Sequence, residues 1–266
     1  MTRLMFTIMV LWVLMAAAPL FVTLPSQQVR LDALFMSPMQ SGFLLGSDEL
    51  GRSLAARLVE GARISLVVAL VTVTISGVAG TLLGIVAGYL GGWVDRVVSR
   101  LIDIFLAFPG LLLAIALAGM LGPGIGNVIL ALSLMGWVGY ARLARNQVLS
   151  IKQRDHVTAA IALGQPGTVI MRRHLLPLLM APLLVEASFG VASAVIAEAS
   201  LSFLGLGVQP PQASWGNMIR EGVRYMLAAP HLVLIPGLAL SLVVLSANLL
   251  GDALRDRLDV TSRSMR

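Results

Sequence analysis

Apolar residues along this chain come in long runs, not in the three-and-four spacing of a helix that buries one face. Met5–Leu24 carries no charge, and neither does Ile64–Leu90, which is rich in Val, Leu and Ile. Leu101–Leu121 is broken only by Asp103 and by the Pro109-Gly110 pair, and Val128–Leu149 is apolar until Arg142 and Arg145 near its end. Ala181–Leu206 contains Glu186 and Glu198, and Leu232–Leu250 closes the set with Pro236 and Asn248 near its two ends. A helix needs about 20 mostly apolar residues to cross a bilayer, and none of these runs alternates every second residue as a barrel strand does. The pattern predicts an all-α polytopic membrane bundle of six transmembrane helices.

The first run admits a second reading, because Arg3 before an apolar stretch and Ala16-Ala17-Ala18 resemble a cleaved signal peptide. Its apolar character continues through Leu20, Phe21 and Val22, and Pro19 directly after the alanines is awkward for cleavage. The expectation is a retained helix. Basic residues then set the orientation. Arg3, Arg96, Arg100, Arg142, Arg145, Lys152, Arg154, Arg172, Arg173, Arg255, Arg257, Arg263 and Arg266 fall on one side. Arg30, Arg52, Arg57, Arg63, Arg220 and Arg224 fall on the other. The larger set belongs in the cytoplasm, which gives N-in and C-in.

Three loops are long: Pro25–Arg63 and Gly207–His231 outside, and Ser150–Met180 inside. The chain divides into residues 1–63 (first helix and outer loop), 64–252 (a transmembrane core with the inner loop 150–180) and a tail, 253–266. Composition agrees with a lipid solvent. Of 266 residues 58% are hydrophobic and 12% charged, against roughly a quarter charged in soluble domains. The net charge of +6 is spread between apolar runs with no basic stripe, so nucleic acid is not an expected partner. There is no cysteine, which excludes disulfides, thiolate metal sites and cysteine nucleophiles.

The inner loop reads Asp155-His156-Val157-Thr158-Ala159-Ala160-Ile161-Ala162-Leu163-Gly164. Asp155 is placed to cap a short helix, and Gly164 followed by Pro166 is placed to stop it. Arg172, Arg173 and His174 lead through Leu175-Leu176 to Pro177, where the next span is expected to begin. Such a small-residue helix suits a groove on a partner protein, and equally a cap on the bundle. Glu186 and Glu198 are the ionisable groups at membrane depth, where charge is costly and a functional role is the default reading. Twelve residues separate them, about 18 Å and roughly 120° around a helix, so they form no carboxylate pair. Glu186 is expected to pair with Arg172 or Arg173. Glu198 either faces a passage or hydrogen-bonds a neighbouring helix.

Other signals carry blander readings. Ser76, Gly80, Gly84 and Gly88 recur every four residues and predict close helix packing. Pro109-Gly110 predicts a kink. His156, His174 and His231 show no metal-ligand spacing, Asp48-Glu49 lies in a loop without a partner, and the single lysine, Lys152, follows Ile151, so no Walker A loop exists. No catalytic constellation is present, and nothing calls for a cofactor.

Three stretches carry a family resemblance. The inner loop is similar to the EAA loop of bacterial ABC-importer permeases, with Thr158-Ala159-Ala160 in place of Glu-Ala-Ala, Gly164 at the family spacing and Leu176-Pro177 at the motif's end. Gly46-Ser47-Asp48-Glu49-Leu50-Gly51-Arg52-Ser53 with Gly61-Ala62-Arg63-Ile64-Ser65-Leu66 resembles the flank of the second helix in dipeptide, oligopeptide and nickel permeases. Glu198–Gly207, running through Pro210-Pro211 to Ser214-Trp215-Gly216-Asn217-Met218, resembles the second permease of such systems. The resemblance implies a type I importer architecture in the bacterial inner membrane. It implies a second homologous permease, two ATP-binding cassette ATPases and an extracytoplasmic solute-binding protein as partners. It also implies that Thr158–Gly164 is a coupling helix seated in an ATPase cleft, with peptides or nickel-like cargo passing through. Two alternatives stay open from the residues alone. A proton-coupled secondary transporter working through Glu198 would usually show inverted repeats, and an intramembrane enzyme would need facing polar groups.

Overall fold

The computed structural model describes residues 2–40 and 42–258. Arg263, Arg266 and the tail from residue 259 onward lie outside the described residues. Helix α1, Thr2–Ala17, passes into a 3-10 turn, Ala18–Leu20, and ends there instead of at Leu24. Pro19 has no N–H to donate and its ring crowds the preceding turn, which disfavours further α-helix here.

Helix α2 covers Leu54–Leu90, ten residues more than the apolar run marked out. The Ser53 hydroxyl accepts from Ala56 N at 3.4 Å and caps it. At 37 residues the helix is about 55 Å long, well beyond a hydrocarbon core of about 30 Å. The surplus length forms a stalk of first turns, with Arg57, Glu60 and Arg63 in the helix and not in the outer loop.

The third span is broken, not merely kinked. α3, Gly92–Leu106, and α4, Gly110–Leu121, meet at 87°. Pro109 drives Phe108 out of the helical region and starts α4. Apolar residues Val98 and Ile102 of α3 pack with Ala87, Val138 and Ala141, and Asp95 pairs with Arg145, whose Nη2 donates to Oδ2 at 2.7 Å. α4 has 12 residues and reaches only about 18 Å, too short to cross by itself, so the bent pair counts as at most one crossing.

α5 is Ile125–Ile151, α6 is Asp155–Ala162 and α7 is Gly167–Ile170. α7 continues through one wide turn, Met171–Leu175, into α8, Leu176–Phe203. The span therefore starts ten residues before Pro177. Because Pro177 cannot donate and its ring crowds the turn behind it, that turn opens, and Leu176 N bonds to Met171 O, five residues back. A short outer helix α9, Trp215–Val223, precedes α10, His231–Leu258. Among the described residues, five helices are long and apolar enough to cross a membrane, and the bent pair makes six.

α2, α5 and α8 form the centre. The small-residue face of α2 meets α5 backbone to backbone: a methyl at Gly80 would overlap Trp137 O, one at Gly84 would overlap Ala141 O, and one at Gly88 would come to 3.0 Å of Arg145 O. Two ladders of four-residue period thus interlock, as the spacing predicts. α1 and α10 flank this core. Arg3 and Arg257 line one cleft, so the start of α1 and the end of α10 lie at the same end of the bundle.

Candidate functional site

Three regions carry unusual chemistry. At the outer end, the stretches that resemblance singled out come together. Asp48 has two partners: it accepts from Arg52 Nε at 2.6 Å and from Arg57 Nη1 at 2.6 Å. Glu221 of α9 takes Arg57 Nη2 at 2.8 Å and Arg52 Nη2 at 3.4 Å. Glu49 takes Arg52 Nη2 at 3.1 Å. The expectation of an unpartnered Asp48-Glu49 is therefore corrected: Arg52 stands three and four residues on, and α2 and α9 add Arg57 and Glu221. Burial pushes the Glu49 carboxyl above its ordinary range, and the nearby Asp48 and Glu221 charges add to this. Trp215 is fully buried and donates from Nε1 to Leu58 O at 3.0 Å. Gly216 lies against the Ala199 carbonyl so closely that a side chain would overlap it.

At the inner end, α6 forms as its composition predicts, with Arg154 as N-cap and Asp155 as its first residue. Asp155 makes no capping bond, and in the first turn its charge favours the helix dipole. Gly164 has φ +75, Gly164 N bonds to Ile161 O at 2.9 Å and Gln165 N to Ala160 O at 3.1 Å. This pair of bonds is a Schellman stop, which needs the left-handed conformation glycine adopts without cost. Val157 and Ala160 are buried in a cluster with Ile151, Ile170, Leu175 and Leu179. The opposite side, with Thr158, Ala159, Ile161, Leu163 and Gly164, is open. Leu163 is 80% exposed. Leu176 is half-buried and Pro177 exposed, in the turn that carries the chain back into the bundle. The three histidines are not all scattered, because the His156 and His174 rings come to 6.3 Å.

Between these ends lies a cavity of about 300 Å³ walled by α2, α4, α5 and α8. Thr72, Ser76, Tyr140 and Ser193 bring hydroxyls to it, and Glu186 brings a carboxylate. Glu186 also lines a second cavity of about 570 Å³ toward the inner end, with Gln147 and Arg255. Among the described residues Glu186 makes no ion pair, so the expected pairing with Arg172 or Arg173 is not found. Those residues sit 13 and 14 positions earlier on one continuous helix, about 20 Å away. Thr72 Oγ1 and Tyr140 Oη are buried with no hydrogen-bond partner among the described residues. Thr72 and Tyr140 carried no signal of their own in the sequence, because a hydroxyl in an apolar run reads as tolerated packing.

Glu198 takes the second of its two readings. It is 1% exposed, it accepts from Ser65 Oγ of α2 at 3.0 Å and from Ser202 Oγ at 2.7 Å, and it lines neither of these cavities. Glu186 and Glu198 are not brought together.

Residues 80–263 match the family described as the binding-protein-dependent transport system inner membrane component. The chain is 45% identical over 240 residues to the di/tripeptide transport system permease protein of Pseudomonas aeruginosa (strain UCBPP-PA14), covering 88% of this chain and 79% of that one. It is 42% identical over 219 residues to the dipeptide transport system permease protein of Alkalihalophilus pseudofirmus, covering 82% and 72%. It is 42% identical over 224 residues to the glutathione transport system permease protein of Pectobacterium atrosepticum, covering 84% and 74%. In fold it is similar to a solved chain of the MetNI methionine ABC transporter in an inward-facing conformation, with a TM-score of 0.62 and 20% identity over 76% of this chain and 96% of that one. A polytopic helical bundle that matches this family over more than half of its length, with relatives at 42% and 45% identity, is thereby identified: the chain belongs to the family of binding-protein-dependent transport system inner membrane components.

Proposed function

We propose that this chain is one of two membrane-spanning subunits of an ATP-driven importer of short peptides in the bacterial inner membrane. It pairs with a homologous permease, takes its energy from two ATP-binding cassette subunits, and receives cargo from an extracytoplasmic binding protein. Relatives named for dipeptide, di/tripeptide and glutathione transport support short peptides as the cargo class.

The observation that carries the reading is α6. Val157 and Ala160 anchor the helix to the bundle, while Ile161 and Leu163 are left open to solvent. An apolar knob on a short, anchored helix is a lever: a partner that grips Leu163 and Gly164 moves the bundle through the Ile170, Leu175 and Leu179 contacts. Asp155, Thr158 and Ala159 complete the gripped face, and Leu176-Pro177 passes the motion to α8. Basic residues gather at that end, which fits a cytoplasmic position. The cavities at Glu186 form part of the passage.

Purification of the tagged chain in mild detergent tests this. Recovery of a second multi-span permease and ATPase subunits supports the reading. A homo-oligomer free of any ATPase sinks it.

A further inference from the structure

We infer that Glu186 is the point at which the passage recognises the cargo's free amino group, its carboxylate binding an α-ammonium at the neck between the two cavities. The inference rests on the reading of the chain as a peptide-importer subunit and adds the chemistry of one step.

Position comes first. The continuous helix from Gly167 to Phe203 has 37 residues, and Glu186 sits at its middle, where an ionisable group is costly without a partner. Other charges on the central helices have been satisfied inside the protein. Glu198, three turns away, holds two serine hydroxyls, and Arg145 holds Asp95. Glu186 has no ion pair among the described residues, and together with Phe189 it lines both cavities. A solute moving from one to the other passes this carboxylate.

Space for the group is built in. Gly139 of α5 faces it so closely that a methyl there would come to 2.8 Å of Glu186 Oε1. One turn further along α8, Gly190 makes the reciprocal allowance, since a methyl there would come to 2.6 Å of the Tyr140 hydroxyl. The two helices therefore forgo side chains where one carries a carboxylate and the other a phenol, yet these two polar groups do not bond each other. A purely structural glutamate would be expected to take the neighbouring hydroxyl, as Glu198 does.

The ligand class follows from charge. Short peptides share a free ammonium, whatever their side chains, and a carboxylate binds it through charge-assisted hydrogen bonds. The hydroxyl of Ser193 in the first cavity suits the peptide's amide groups, and Arg255 in the second has the sign to meet the carboxylate. A single carboxylate shared by the two cavities, with Arg255 beyond it, gives binding strong enough to admit a solute and weak enough to release it.

The test is uptake of radiolabelled L-alanyl-L-alanine into proteoliposomes carrying the full assembly with its binding protein. Glu186→Gln is expected to lower uptake at least tenfold, and Glu186→Asp to recover much of the loss. Gly139→Ala keeps the charge but displaces it, and is expected to lower uptake severalfold even if the Gln variant fails to assemble. Uptake within twofold of the unaltered assembly in Glu186→Gln or in Gly139→Ala overturns the inference, as does an Asp variant no better than Gln. No ATP-dependent uptake by the unaltered assembly instead sinks the peptide-importer reading, and this inference with it.

Discussion

Arg57 is 1% exposed and holds two carboxylates at once, Asp48 at 2.6 Å and Glu221 at 2.8 Å. Breaking one member of such a buried pair leaves a charge uncompensated and costs about 3–5 kcal/mol. Asp48→Asn is therefore expected to lower the Tm of the detergent-solubilised protein sharply, and a shift of less than a degree or two would show the cluster to be dispensable. Glu49 is the surplus charge, since three carboxylates here face two guanidinium groups. Its raised pKa means the native state holds this proton more tightly than the unfolded state, so between the ordinary glutamate range and the raised value stability falls as pH rises. Glu49→Gln is expected to be neutral or stabilising at pH 7. Its advantage should vanish on acidification through the ordinary glutamate range, where both states of the wild type become protonated. A Tm difference that does not change with pH would remove Glu49 as its cause. Arg52 lies within four residues of Asp48-Glu49 and was a legible local partner, but the link across to α9 was not. Glu221 is 164 residues from Arg57, and no local pattern reports such a pairing. Glu198 was half-legible: its cost at membrane depth was evident, but which hydroxyls offset it depended on how α2 lies against α8.

The α2–α5 contact is a seam of backbone against backbone. A methyl at Gly84 would overlap the Ala141 carbonyl, and main chain inside a packed helix cannot move aside as a flexible side chain does. Gly84→Leu is expected to cost more than the roughly 1–3 kcal/mol typical of overpacking, and to be read as loss of folded protein on size exclusion. Gly91→Ala makes a useful contrast, since nothing lies within 4 Å of it and only its positive φ is at stake. Helix α6 allows a sharper experiment. Gly164 has open space around it, so a large residue there meets only a partner, apart from the strain of a left-handed conformation, about 1–2 kcal/mol. Asparagine tolerates that conformation. Gly164→Asn is expected to transport near the wild-type level, whereas Gly164→Arg is expected to leave an inserted protein whose transport is uncoupled from ATP hydrolysis. Equal uptake in both variants would remove α6 from the coupling role. The seam and the short helix were both written in local spacing, and local spacing is what a helix converts directly into a face. The broken third span was only partly so: Pro109 announced an interruption, but its 87° angle depends on α3 finding a bed on α2 and α5.

At the scale of the whole molecule, the arrangement brings the start of α1 and the end of α10 to one end of the bundle and the Asp48–Arg57–Glu221 cluster to the other. The chain has no cysteine, so single-cysteine labelling gives an unambiguous reading of sidedness. With an impermeant maleimide on intact cells or spheroplasts, Gln28→Cys is expected to label and Gln153→Cys to label only after the membrane is opened. The opposite result would invert the bundle. By itself the sequence determined the solvent, the helical class, the seam on α2 and the existence and end of α6. Each of these rests on properties that neighbouring residues share: apolar run length, four-residue spacing, and a glycine where a helix must stop. Only the tertiary structure decided that α2 rises ten residues beyond its apolar run, that the outer charges form one buried cluster, that Glu198 is satisfied, and that Glu186 stands without an ion pair among the described residues between two cavities. The reason is physical. The free energy of a charge in a bilayer protein depends on what other helices bring to it, and that partner is fixed by packing across the whole chain.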